Sequence, residues 1–157
     1  MTTEANDLIG HLRRHPFFNG MSDAHLAVLA EYALPVSFQA GEKIFAEGDA
    51  ANRFYLIESG EVILSAETTP HEHQEVQILQ AGDVLGWSWL FPPYYWHFSA
   101  EAKTPVAAVF FYGTRLRERC EQDTSLGYEM MKRVSEIVIK RLQKNREELL
   151  DLKKTAR

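Results

Sequence analysis

The stretch Phe54–Ala66, FYLIESGEVILSA, decides the fold. Two short runs of aromatic and aliphatic residues, Phe54–Glu58 and Glu61–Ala66, flank the dipeptide Ser59-Gly60. Glycine supplies the positive φ or tight bend that joins neighbouring strands, so the stretch reads as a strand pair. The same punctuation recurs on both sides. Candidate strands at Val36–Phe38, Lys43–Phe45, Glu75–Leu79, Val84–Leu85, Phe98–Ala102 and Val106–Phe111 are set off by turns at Ala40-Gly41, Gly48-Asp49 and Ala81-Gly82. Many short strands with glycine turns indicate a sandwich or barrel, closed enough to hide its edges.

Helices flank this β region. Leu8, Ile9 and Leu12 fall at helical spacing within residues 4–15, and the segment ends at His15-Pro16 because the residue before proline leaves the helical region. Ser22 is a good N-cap for a short helix through Ala30, with Leu26 and Leu29 on its buried side. A short helix over 114–121 and a long one from about Thr124 to Lys154 follow Tyr112. At 1.5 Å per residue the long helix spans roughly 45 Å, longer than a small roll is wide. Leu126, Met130, Val134 and Ile137 share a face suited to packing on the β region. Met131, Val138, Leu142, Asn145, Leu149 and Leu152 follow heptad spacing, and the lone Asn145 is the type of residue that fixes register in a coiled coil. A parallel homodimer is expected; the alternative is one amphipathic helix folded back on its own domain.

At 157 residues the chain suits one domain with a real core. Hydrophobic residues make up 45%, which argues against disorder. The net charge of −5 argues against a free-standing nucleic-acid binder, since only Lys153, Lys154 and Arg157 form a basic stretch. The single Cys120 excludes an internal disulfide and a Cys-rich metal site. No apolar run approaches the roughly 20 residues that span a bilayer, and Met1–Asp7 does not resemble a signal peptide, so a cytoplasmic protein without membrane contact is expected.

The order of short helices, glycine-punctuated roll, short helix and long helix resembles the cyclic-nucleotide-binding domain of the catabolite-activator and oxygen-sensor regulators. Particular residues carry this. Phe17–Leu29 is similar to the family's first helical segment, and Ala40-Gly41-Glu42, Ile44-Phe45 and Glu47-Gly48-Asp49 to its first hairpin. Phe54–Ile57 with Ser59–Val62 resembles its central strand pair, Ala81–Gly86 the approach to its phosphate-binding cassette, and Ala102-Lys103-Thr104 the strand after it. The resemblance covers about residues 17–145. It implies a mainly β fold with flanking helices: a double-stranded β-helix, or jelly-roll-like β-roll, plus a long C-terminal α-helix. Helices would occupy 1–33, the roll 34–112 with its cassette at about 82–102, and further helices 113–157. In the family a helix-turn-helix domain follows the long helix; the chain stops at Arg157, so direct DNA binding is not expected.

The cassette departs from the family pattern. The resemblance implies a glutamate after the glycine and an arginine some ten residues on. Here Trp87 follows Gly86, and the arginine position falls near Trp96, its neighbour near His97. Residues 54–114 hold no arginine and one lysine, Lys103, against seven acidic residues. A buried monoanion without a cation or dedicated N–H donors loses several kcal/mol of hydration, so an ordinary cyclic nucleotide is not the expected ligand. Aromatic residues take seven of the twelve positions from Trp87 to Phe98. Either these rings fill the pocket as core, or they form a pocket for a flat or apolar ligand or a surface for a protein partner.

The expectation is a non-catalytic sensor binding an unknown small effector through Gly86, Trp87, Ser88, Trp89, Trp96, His97, Phe98 and Tyr128, or an interaction module with no ligand. No cofactor and no metal is expected. His71-Glu72-His73 with Glu75 resembles the cupin metal pattern, but Glu67–Glu75 reads as a solvated loop and the spacing does not match. Cys120, between Arg119 and Glu121, reads as a buried structural thiol. No nucleophile elbow, phosphate loop or paired-carboxylate arrangement is present.

Overall fold

The protein is described by a computed structural model over residues 3–69 and 72–155. Helices α1 (Thr3–Arg14) and α2 (Asp23–Ala30) precede strands β1 (Ala33–Phe38), β2 (Lys43–Phe45), β3 (Arg53–Ser59), β4 (Val62–Thr69), β5 (Glu72–Leu79), β6 (Val84–Leu85), β7 (Ser99–Ala102) and β8 (Val106–Tyr112). Helices α3 (Gly113–Gln122) and α4 (Thr124–Thr155) follow. The strands form two antiparallel sheets of four, in the orders β1-β8-β3-β6 and β2-β7-β4-β5. This is the expected β-roll with flanking helices. No helix among the described residues is long and apolar enough to cross a membrane.

Period-two alternation divides the core. In β3, Phe54 and Leu56 face the helices, with Leu12, Phe18, Leu26, Leu116, Leu126 and Met130. Tyr55 and Ile57 point the other way, into the roll with Ile44, Phe45, Leu64 and Leu85. Strand β8 repeats this, placing Val109 and Phe111 on the helical side and Val106 and Ala108 inside the roll. Successive Cβ atoms of a strand point to opposite faces, so a strand buried on both faces reads as a continuous apolar run. The turn at Gly60 admits no side chain: its φ is +91°, and a Cβ would stand 2.2 Å from the Pro105 carbonyl oxygen.

One expected loop is a strand pair instead. Glu67 pairs with His73, and Ser65 with Glu75, within the β4–β5 hairpin. Residues 72–76 are all exposed, so their polarity reflects solvent on both faces and not a loss of strand pairing. Pro70 and His71 lie outside the described residues.

His15 ties the α1 end to the roll. Its Nε2 lies 3.2 Å from the Ile57 carbonyl, and its Nδ1 accepts from the Phe17 N–H at 3.2 Å. A ring that donates at one nitrogen and accepts at the other is neutral. Burial pulls its pKa below 6.5, opposed by the Ile57 carbonyl and the charges of Glu58 and Asp83. Because the folded form binds its proton more weakly than the unfolded form, stability is full above about pH 6.5 and falls as pH drops through that range. Thermal melts between about pH 7 and pH 5 should show this fall, and His15→Gln should flatten it. A slope that survives the substitution assigns it to another group.

Helix α4 is about 48 Å long, at 1.5 Å per residue. Leu126, Met130 and Val134 are buried on the domain, and Ile137 and Val138 are half-buried. From residue 142 to 155 every position is exposed, Asn145 included. Met131, Leu142, Leu149 and Leu152 stand between 41% and 67% exposed, so these four seam positions lie open within one chain while Val138 packs partly on the domain.

Candidate functional site

The cassette begins where β6 stops. Gly86 has φ +91°, turning the chain out of the sheet into a short 3-10 turn, Ser88–Leu90. The following loop is held from both sides. The Trp96 N–H donates to the Asp49 carbonyl at 2.9 Å, the Gly48 N–H to the Trp96 carbonyl at 2.9 Å, and the Ala51 N–H to the Tyr94 carbonyl at 2.7 Å. Arg117, on α3, donates to the Trp89 carbonyl at 2.6 Å and lies 3.8 Å from the Tyr94 ring centroid. A cation over an aromatic face adds about 0.5–2 kcal/mol, so α3 clamps the loop.

Within this frame Trp96 points into the roll. It is 3% exposed and stacks on Phe45, with centroids 3.9 Å apart and planes 8° from parallel. Gly86 lies beneath it; a Cβ there would meet the indole at 2.7 Å. What remains of the pocket is about 20 Å³, bounded by Phe45, Leu64, Leu85, Trp96 and Arg141 and by the cassette residues Gly86, Trp87, Ser88, His97 and Phe98. That is room for about one water. The indole Nε1 of Trp96 is buried with no hydrogen-bond partner among the described residues.

Six of the eight expected site residues therefore meet at one place: Gly86, Trp87, Ser88, Trp96, His97 and Phe98. Trp89 does not. It is fully buried on the helical side, stacked on Phe54 at 4.8 Å, because the tight 3-10 turn sends neighbouring side chains in different directions. Tyr128 does not join them either: it is 67% exposed and does not line this pocket. His97 lies at the rim, exposed.

Arg141 is the residue that sequence reasoning missed. It comes from α4, donates through Nη2 to the Val84 carbonyl at 2.8 Å, and lines the pocket. Burial lowers its pKa from the ordinary arginine value, with Asp83 opposing. The signal was present in the helical period: 126, 130, 134, 137 and 141 continue one face. Among the described residues no three His, Cys, Asp or Glu side chains group as a metal site. Cys120 is buried and its thiol is pushed up to about 11, first by burial and then by Asp123 and Glu121, which leaves it protonated and unreactive.

The sequence model of the cyclic nucleotide-binding domain matches residues 35–123. The chain is 27% identical over 141 residues to a CRP-like cAMP-activated global transcriptional regulator of Mycobacterium tuberculosis, covering 90% of this chain and 61% of that protein. Over 51 residues it is 41% identical to a cAMP-dependent protein kinase regulatory subunit of Dictyostelium discoideum, covering 32% of this chain and 16% of that one. The chain thus spans less than two thirds of these relatives. A solved putative cyclic nucleotide-binding protein from Geobacter metallireducens superposes with a TM-score of 0.78 at 32% identity, covering 90% of this chain and 99% of that one.

Proposed function

Since the chain belongs to the cyclic nucleotide-binding domain family, we propose that it is a non-catalytic regulatory module whose roll pocket is filled by its own Trp96 in place of a nucleotide. The observation that carries this reading is the stacked, buried Trp96 over Gly86, with about 20 Å³ left beside it. A nucleotide would have to displace the indole and the loop that holds it, and would find Arg141 as the one cation lining the pocket among the described residues. An effector that does enter favours a loop-out arrangement over the loop-in one, and the shift passes to α4 through Arg141. Two copies pair through Met131, Val138, Leu142, Asn145, Leu149 and Leu152. A partner protein is the second reading, favoured by Tyr95 at the tip of the clamped loop and Tyr112 at the end of β8, which are 52% and 44% exposed.

Calorimetric titration with cAMP and cGMP tests the filled pocket. The protein should give no saturable heat up to about 1 mM, and Trp96→Arg should gain at least about tenfold in affinity, because a charge-assisted contact is worth roughly 1.5–3 kcal/mol. Micromolar binding by the unaltered chain overturns the filled pocket. No gain in the variant removes position 96 from the phosphate contact.

A further inference from the structure

We propose that a cationic groove on the outside of the roll binds a small phosphate-bearing anion. The groove lies between α4 and the turn joining β5 to β6, and encloses about 600 Å³. That is within the size range of small-molecule sites.

The charges on its walls are the argument. In a chain of net charge −5, Lys140, Arg141 and Lys144 crowd onto one wall. The ion pairs among the described residues involve His11, Arg13, Lys132 and Arg133, so none of these three cations has a carboxylate within 4.0 Å. Arg133 also lines the groove, but it is already bonded to the carbonyls of Phe17 and Asn19. Two carboxylates face the space, Glu136 and Asp83, and Asp83 already accepts the Gln80 N–H at 2.8 Å. Arg141 is pinned through Nη2 alone, which leaves the rest of its guanidinium fork free of protein partners.

Geometry selects the ligand class. Positions 140, 141 and 144 lie within about 6 Å of rise along the helix axis. A fixed guanidinium fork beside two ammonium groups at that spacing suits the clustered oxygens of a phosphate or pyrophosphate. An extended acidic peptide spreads its charges over about 3.3 Å per residue and would engage the cluster with one side chain at a time. The groove face is turned about a third of a turn from the heptad seam, so pairing of α4 leaves it open. Arg141 lines both spaces, but Lys140 and Lys144 line the groove alone, so the double lysine variant reports on the groove without touching the filled pocket.

Calorimetric titration of the full chain with inorganic pyrophosphate, at about 50 mM salt, tests the site. The expected result is saturable binding, one per chain, weakened at least about tenfold in Arg141→Gln and in the double variant Lys140→Gln/Lys144→Gln. Lys140 and Lys144 are exposed, so the double variant folds even if Arg141→Gln does not. Lys153→Gln/Lys154→Gln, at the far end of α4, should bind as the parent does. No saturable heat at about 5 mM, or an equal loss in the Lys153/Lys154 variant, overturns the proposal by leaving only diffuse charge attraction. Tighter binding of an octaglutamate peptide than of pyrophosphate overturns it too, by giving the groove to an acidic protein segment.

Discussion

Trp96→Ala is expected to lose about 3–5 kcal/mol of stability, the range for removing a buried aromatic ring. For a domain of this size that is a fall in Tm of roughly 10 °C. The loss has three parts: burial of the indole, its stacking on Phe45, and the empty volume left behind. One contribution is missing, since Nε1 makes no hydrogen bond to lose. Trp96→Phe should therefore be much milder. The new cavity is walled mainly by Phe45, Leu64, Leu85 and Phe98, and an apolar cavity of that kind takes up apolar solutes. Free indole should raise the Tm of Trp96→Ala and leave the parent unchanged, by binding only the state that has the cavity. A loss below about 1 kcal/mol would show that the ring does not fill the pocket in solution.

The fold was legible because its signals are local. Ser59-Gly60 between two apolar runs requires nothing distant, and the apolar faces of α1, α2 and α4 follow from spacing alone. The site was legible in part. Seven aromatics in the cassette marked where the pocket is, yet their directions were not readable. Trp89 and Trp96 lie seven residues apart and bury on opposite sides of β3, one in the helical core and one in the roll. Which side each takes depends on the 3-10 turn and on the bridge between Ala50 and Tyr95, both tertiary features. Arg141 escaped for a different reason. The cassette itself holds no arginine, and the helix that supplies one begins after the roll ends. Over residues 72–76 of β5 the period-two signal vanished because both faces meet water and no side chain there has to be apolar.

Leu142→Asp is expected to convert a dimer into a monomer. Met131, Val138, Leu142, Asn145, Leu149 and Leu152 are spaced by seven, four, three, four and three residues along α4, the spacing of one coiled-coil seam. Leu142 is 67% exposed in the single chain, and beyond it every described residue of α4 is exposed. Exposed leucines at 142, 149 and 152, in register over about 15 Å of helix, would be covered by a second helix carrying the same pattern. A parallel pair brings the two Leu142 side chains together, so one substitution removes two buried leucines, about 4 kcal/mol in all. That alone weakens dimerisation on the order of a thousandfold, before the repulsion of two apposed carboxylates is counted. Sedimentation equilibrium should show the parent at twice the chain mass and Leu142→Asp at the chain mass, with an unchanged Tm for the roll. Asn145→Leu separates register from strength, since a buried asparagine pair fixes alignment at the expense of stability. It should tighten association while admitting assemblies larger than two. A parent chain that is monomeric at about 100 μM would leave the free half of α4 as a single exposed helix and end the pairing scheme.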